Sequence, residues 1–409
     1  MDYLQAKKII SDSENKAKEI FATISETALY NQKKVLNAFR EHRIGYVHFN
    51  PSTGYGYDDT GREGLNKLYA SVFKCDSALV SPLIANGTHA LTIALFGLLR
   101  PGDVLFSAAG KPYDTLDDVI NGKNNGSLKE YGVKYEQADL DDCGNPSIDN
   151  IRAKLDTIKP KIAFIQRSKG YLWREALSIA QIEEIITVIK NISPDTVIVV
   201  DNCYGEFVET REPTEVGADV IVGSLIKNPG GGIAPTGGYI AGRSDCIEQI
   251  SYRLTAPSLG NEVGSYSGGY RLFYQGLFLA PSTVKNALMG EVLASFVFDS
   301  IGLNTMPKSG SMPYDIICSI KFNTGDELIK FCQSIQKVSP VDSYVTPEAW
   351  DMPGYNHPVI MAAGTFIQGA SLELTADGTV REPFVAYMQG GLTYEHCVIA
   401  LTEILKDIF

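Results

Sequence analysis

The sequence predicts an α/β fold: a mostly parallel sheet with helices on both faces, followed by a smaller C-terminal α+β domain. Three observations predict it. Short β-branched runs alternate with helical patterns from about residue 75 to 285. Polar residues suited to chemistry stand at the carboxyl ends of those runs, where open α/β sheets take their ligands. At 409 residues the chain also exceeds one ordinary core, so a second domain is expected.

The elements follow in chain order. Residues 3 to 43 are charged, with Ile10, Ala17, Ile24, Val35 and Phe39 on an intermittent apolar face, which predicts a helical arm within residues 1–50. Such an arm packs on its own subunit or lies across another, and both remain open. A Gly/Tyr/Asp-rich loop, Pro51 to Arg62, leads into a helix from Glu63 to Phe73. A strand from Ala78 to Ser81 precedes a helix that begins at Asn86-Gly87-Thr88, and further strands are expected over Asp103 to Ser107, Lys161 to Ile165, Thr196 to Asp201 and Ala218 to Gly223. Helical pieces over Thr115 to Ile120 and Ile179 to Asn191 lie between them, completing a large domain over 51–285. Val284 to Phe298 reads as a long apolar helix bridging to a small domain over 286–409. There the pattern gives a strand, Asp315 to Lys321, a helix, Glu327 to Lys337, and a turn-rich stretch, Ser339 to His357. Two strands, Val359 to Ala363 and Ser371 to Leu374, and a closing helix, Tyr394 to Phe409, complete it.

Composition removes several function classes. A net charge of -12 with no basic block argues against a nucleic-acid surface. The 7 cysteines are odd in number and never in a C-x-x-C pair, and the 5 histidines show no metal-ligand spacing, so neither a disulfide framework nor a metal site is expected. The amino terminus lacks the apolar core of a signal peptide and no apolar run is long enough to span a bilayer. A cytoplasmic protein with no membrane association is the expectation.

Three segments carry the chemistry. Lys227 follows the Ala218 to Gly223 strand and precedes Asn228-Pro229-Gly230-Gly231-Gly232. Sheltered at a strand end, an ammonium group becomes a weaker base, and its neutral amine can form an imine with a carbonyl compound, for which pyridoxal phosphate is the evident candidate. Asp201 ends the preceding strand, where a carboxylate can pair with the pyridine nitrogen and keep it protonated, so that the ring absorbs an electron pair. Gly87 and Thr88 open a helix whose free N–H groups favour a phosphate, with the Ser224 hydroxyl as a further ligand. A helix end supplies only about half a positive charge against roughly two negative ones, so at least one cation should assist. Taken singly, Lys227 reads as a surface lysine, Asp201 as a turn cap and Gly87-Thr88 as an ordinary helix start. Their order, each at an element boundary, favours the joint reading.

With these residues the chain resembles the fold type I pyridoxal-phosphate lyases, in the branch related to methionine γ-lyase and cystathionine β-lyase often labelled aluminium resistance protein. The resemblance rests on Gly54-Tyr55-Gly56-Tyr57-Asp58-Asp59-Thr60-Gly61-Arg62, Asn86-Gly87-Thr88-His89-Ala90-Leu91, Val200-Asp201-Asn202-Cys203-Tyr204-Gly205-Glu206-Phe207, the lysine segment, Arg381-Glu382-Pro383 and Gln389-Gly390-Gly391-Leu392-Thr393. It implies that Lys227 is the Schiff-base lysine and general acid/base, that Asp201 holds the pyridine nitrogen, and that Gly87, Thr88 and Ser224 bind phosphate. It further implies that Tyr57 and Arg62 reach that phosphate from a neighbouring subunit of a homodimer or homotetramer, supplying the missing cation. Tyr113 matches the aromatic residue that stacks on the ring, against a plain turn tyrosine. Arg381 is expected to grip the substrate carboxylate through two parallel hydrogen bonds. The implied activity is elimination of a β- or γ-thiol from cystathionine or a methionine-like amino acid. An aminotransferase, or a non-catalytic cofactor-binding protein linked to metal tolerance, is the alternative. Ile226 before the lysine, His89 in place of a small residue, and Gln166-Arg167-Ser168-Lys169 in place of a proline-rich loop depart from the better-known lyases. Arg167 and Lys169 then either add charge near the cofactor or decorate a loop.

Overall fold

Runs of valine and isoleucine build the central sheet in the computed structural model of the chain, which describes residues 1–351 and 357–408. Its strands are β1 (Ser77–Ser81), β2 (Val104–Ser107), β3 (Lys134–Gln137), β4 (Ile162–Gln166), β5 (Val197–Asp201), β6 (Val220–Ser224) and β7 (Gly238–Gly242). They lie in the order β1-β7-β6-β5-β4-β2-β3. The pairs from β6 through β3 are parallel, and β7 runs antiparallel to both its neighbours. β3 and β7 escape the sequence reading: one is a polar edge strand and the other a glycine-bounded run, neither with a β-branched pattern.

Helices cover both faces. On one, α3 (Gly87–Leu98), α4 (Asp114–Asn121) and α7 (Ser244–Leu254) bury Leu91, Leu95, Leu116 and Ile250 against Val199 and Val222. On the other, α2 (Thr60–Val72), α5 (Ile148–Leu155) and α6 (Ile179–Ile192) pack Leu65, Leu155 and Ile182 against Ile198 and Ile221. The arm is a single helix, α1 (Tyr3–Glu41), and it lies on its own subunit. Its Asn31 Nδ2 donates to the carbonyls of Phe207 and Glu209 at 3.1 and 3.0 Å, and Gln32 Nε2 to that of Phe278 at 3.0 Å.

The bridging helix, α8 (Arg271–Ser300), starts well before the expected Val284 and carries Pro281 within it. A proline inside a helix removes a hydrogen bond, which is why the sequence pattern breaks there although the helix continues. Val284, Leu288 and Val292 belong to the core under the large sheet, whereas Leu293, Val297 and Phe298 belong to the core under the small one. The division expected between residues 285 and 286 therefore falls inside a helix.

The small sheet is antiparallel throughout, in the order β10 (Val359–Ala362), β11 (Thr375–Thr379), β12 (Val385–Gln389), β9 (Ile317–Lys321), β8 (Asn304–Met306). α9 (Gly325–Lys337) and α10 (Tyr394–Ile408) cover it. The strand expected over Ser371 to Leu374 is instead a bend, because the Glu373 carboxylate accepts from the amides of Phe366 and Ile367 at 2.8 and 2.9 Å and turns the chain back; β11 begins after it. Of the turn-rich stretch, residues 352–356 lie outside the described residues, as does Phe409 of the closing helix.

A buried lysine joins the two sheets. Lys169, just past β4, donates from Nζ to the carbonyls of Met306 and Ile317 at 3.0 and 2.6 Å and lies 3.8 Å from Asp315 Oδ1. Asp315 accepts the Ile317 amide at 3.0 Å. Arg167 is equally buried, bonded to Asn202, the Gly205 carbonyl and Glu209 at 2.9, 2.9 and 2.8 Å. Both cations are structural braces, so neither of the two roles expected for them holds.

Candidate active site

The phosphate end follows from how α3 begins. Asn86 caps the helix, its side chain accepting the His89 amide at 2.8 Å, and the amides of Gly87 and Thr88 stand in the first turn, where no intrahelical acceptor exists. With Ser224 at the end of β6, these residues line a cavity of about 500 Å³ that also receives Asp201, Lys227 and Tyr113. His89 folds back on its own helix start, its Nδ1 accepting the Ala85 amide at 3.0 Å, and takes no part in the cavity lining.

Lys227 is placed by the chain doubling back after β6. A side chain at Gly230 would put its Cβ 1.7 Å from the Leu225 carbonyl oxygen, so only glycine permits this return. The ammonium Nζ lies 4.0 Å from the centroid of the Tyr204 ring, a cation–π contact. Asp201 ends β5, and its Oδ1 accepts the Cys203 amide at 3.1 Å. Burial raises the Asp201 carboxyl above its ordinary range, and Lys227 pulls it back. The expectation that shelter makes Lys227 a weaker base is corrected here. Burial does push the ammonium down, but the neighbouring Cys203, Tyr204, Asp201 and Tyr113 together raise the group above its usual value. Asp201, the carboxylate that a pyridine nitrogen would engage, is one of the groups that raise it.

Tyr113, immediately before α4, is fixed at both ends. Its hydroxyl lies 3.1 Å from Thr88 Oγ1 and its amide donates to Gln166 Oε1 at 2.9 Å. Burial pushes the phenol well up, so it stays protonated.

Arg381 does not line this cavity, and Tyr57 and Arg62, expected to reach the phosphate of a neighbouring subunit, do not line that of their own chain. Arg381 is exposed in the turn between β11 and β12, beyond the end of the strand whose Asp377 does line it. At roughly 3.3 Å per residue, that places Arg381 about 13 Å along the chain from Asp377. Arg62 is buried and committed within its own chain, Nη1 donating to the carbonyls of Gly56 and Gly264 at 2.8 and 2.7 Å and Nη2 to that of Glu262 at 3.3 Å. Its Nε has no partner among the described residues. Tyr57 is 58% exposed, stacked on Tyr55 with ring centroids 5.5 Å apart.

Other wall residues are given no role by the sequence reading: Tyr204, Gln166 and Tyr171 from the large domain, and Ile317, Asp377, Tyr387 and Gln389 from the small one. Tyr204, three residues after Asp201, Gln166 and Gln389 each stand within a segment already singled out.

The donor set fits pyridoxal phosphate. Two first-turn amides and a hydroxyl face one end, and an amine and a carboxylate face the same space. Lys227 is the only lysine or arginine among the described lining residues, so a phosphate there still lacks a cation from this subunit.

Behind the site, Glu206 lies buried against Gly223, where a Cβ would come within 2.6 Å of its Oε1. Oε1 accepts the Tyr239 hydroxyl at 2.8 Å, and Oε2 has no partner among the described residues. Burial pushes the carboxyl up to about 8. The folded value exceeds that of the unfolded chain, about 4.3, so the native state keeps the proton longer. Stability is therefore lost as pH rises from about 4.5 toward 8, by up to about 5 kcal/mol. Glu206→Gln is expected to remove this slope, leaving the variant more stable than the parent at pH 9 in urea unfolding; parallel pH profiles would refute the assignment.

Comparison with known proteins follows the geometry. The family model described as Methionine gamma-lyase matches residues 6–409. The Bacillus subtilis (strain 168) protein YnbB is 48% identical over 405 residues, 98% of this chain and 96% of that protein. A crystal structure described as a carbon-sulfur lyase involved in aluminum resistance, from Clostridium novyi NT, is 51% identical with a TM-score of 0.95 over 99% of this chain and 96% of that one. Apo CalE6, a methionine gamma lyase from Micromonospora echinospora, shares the fold at 18% identity, with a TM-score of 0.59 over 89% of this chain and 93% of that one. The fold type I architecture implied by the resemblance is thereby shown.

Proposed function

Because this chain belongs to the methionine gamma-lyase family, we propose that it is a pyridoxal-phosphate carbon-sulfur lyase. Its substrate would be a sulfur amino acid, cystathionine or a methionine-like thioether, cleaved by β- or γ-elimination to a thiol, a 2-oxo acid and ammonia. The observation that carries this reading is the convergence of Lys227, Asp201, Ser224 and the start of α3 on one cavity.

Gly87, Thr88 and Ser224 would hold the phosphate and Lys227 the aldehyde carbon. When bound, the pyridinium ring supplies a sink for the electron pair left as a bond at the substrate Cα breaks. Asp201 holds the proton on the ring nitrogen. Lys227 Nζ takes the Cα proton and returns a proton to the departing sulfur, so the thiol leaves neutral. One water then converts the remaining unsaturated amine to 2-oxo acid and ammonia. Tyr113, tied to Thr88 and Gln166, walls the cavity beside the phosphate end.

A panel of sulfur amino acids presented to the loaded protein is expected to release thiol and ammonia in equal amounts. Stoichiometric transfer of the amino group to an added 2-oxo acid, with no thiol, would make it an aminotransferase and end this reading.

We further propose that a second copy of the chain completes the site. Tyr55, Tyr57 and Leu83 are exposed around the loop at Gly264, next to Ala85 at the cavity's phosphate end. That patch, beside a phosphate site short of a cation, suits a neighbouring subunit. Sedimentation at micromolar concentration is expected to show a dimer or tetramer, and a monomer with full activity would overturn the proposal.

A further inference from the structure

The wall that the small sheet gives the cavity holds an unmatched charge. Ile317, Asp377, Tyr387 and Gln389 reach the cavity together because Asp377 pairs with Tyr387, and Gln389 with Ile317, across antiparallel strands, while residues two apart share a face. Asp377 is the only charged residue in that wall among the described residues. Its carboxylate is held in place: Gln389 Nε2 donates to Oδ2 at 3.1 Å, and the Tyr171 side chain hydrogen-bonds to it. Tyr171 is itself fixed, since the Tyr387 hydroxyl donates to its carbonyl at 2.6 Å and the two rings meet edge to face at 5.0 Å. No lysine or arginine among the described residues acts on Asp377, and burial pushes its carboxyl up to about 7. Lys227, the one cation lining the cavity among the described residues, already has Asp201 acting on it.

A carboxylate left this way in a cavity wall costs free energy unless the ligand brings the missing positive charge. An amino acid ending in a methyl group leaves it unpaired, and one ending in a carboxylate is repelled by it. An ammonium group at the far end of the side chain satisfies it.

We propose that Asp377 is a specificity-determining residue that receives a distal ammonium group, so that the lyase prefers diamino thioether acids over those ending in a methyl group. The proposal rests on the lyase reading for the reaction, but its recognition step can be measured without turnover.

L-Ornithine and L-norleucine have side chains of equal heavy-atom count, one ending in an ammonium and the other in a methyl, and neither has sulfur to eliminate. Calorimetric titration of the pyridoxal-phosphate-loaded protein at about pH 8, where the carboxyl is mostly ionised, is expected to show ornithine binding at least about tenfold tighter. In Asp377→Asn that ratio is expected to fall toward one. Equal affinities in the unaltered protein would overturn the proposal, whatever the variant's folding. So would a variant that weakens both ligands alike, since Asp377 would then act on the shared α-amino acid group. If ornithine is preferred but no sulfur amino acid releases thiol, the lyase reading falls and the ammonium site stands.

Discussion

Lys227→Ala is expected to abolish turnover, by about 10⁴-fold or more, and to remove the colour of the covalently held cofactor from the purified protein. One side chain carries both losses, because the amine that holds the aldehyde is also the group that moves the proton, and positioned proton transfer alone contributes up to about 10⁴. Nothing in the packing opposes the substitution: Lys227 sits at the cavity with its Nζ against the Tyr204 ring. The variant should therefore fold and, with its ammonium gone, leave Asp201 without its counter-charge, raising that carboxyl further. Turnover and absorption spectrum together are the measurement, and a coloured, active Lys227→Ala protein would remove this residue from its role.

Lys169→Met is expected to cost about 3–5 kcal/mol of stability, the usual consequence of removing one partner from a buried ion pair. Asp315 and Glu291 are both buried, and burial raises both carboxyls; Lys169 restrains both, with Arg174 and Arg167 assisting at Asp315. Without it their folded values climb further above the unfolded ones, so the native state holds more protons and loses stability as pH rises. The deficit should therefore be larger in urea unfolding at pH 8.5 than at pH 6. Lys169→Met combined with Asp315→Asn, which keeps the acceptor for the Ile317 amide, should recover part of the loss. A single variant within about 0.5 kcal/mol of the parent at both pH values would show that the brace carries no weight.

The chemistry of the large domain was legible because it is local. A β-branched run, a turn and a polar residue at its end identify Asp201 and Ser224, and a capped helix start identifies Gly87 and Thr88. The small-domain wall has no such signature. Thr375-Ala376-Asp377-Gly378-Thr379 contains residues that disfavour strands, and Asp377 becomes a cavity residue only through its register with β12. Arg381 stands outside the lining for the same reason. Its chemistry suits a carboxylate clamp, and from a hairpin turn that the sequence does not locate its charge acts on Tyr387, which lines the cavity. The charge state of Lys227 was also beyond the sequence, since burial alone predicts its direction wrongly and the outcome depends on which acids the fold gathers around it.

Most two-lobed proteins join their lobes by a loose tether, but here the joint is the rod of 30 residues from Arg271 to Ser300. Past Pro281 its peptide ladder runs from one lobe's floor to the other's, so fraying begun under either sheet propagates into its neighbour. Evolution could not exchange the lesser lobe by cutting at a linker. A transplant would have to splice mid-rod and preserve the rotational phase of every side chain that follows.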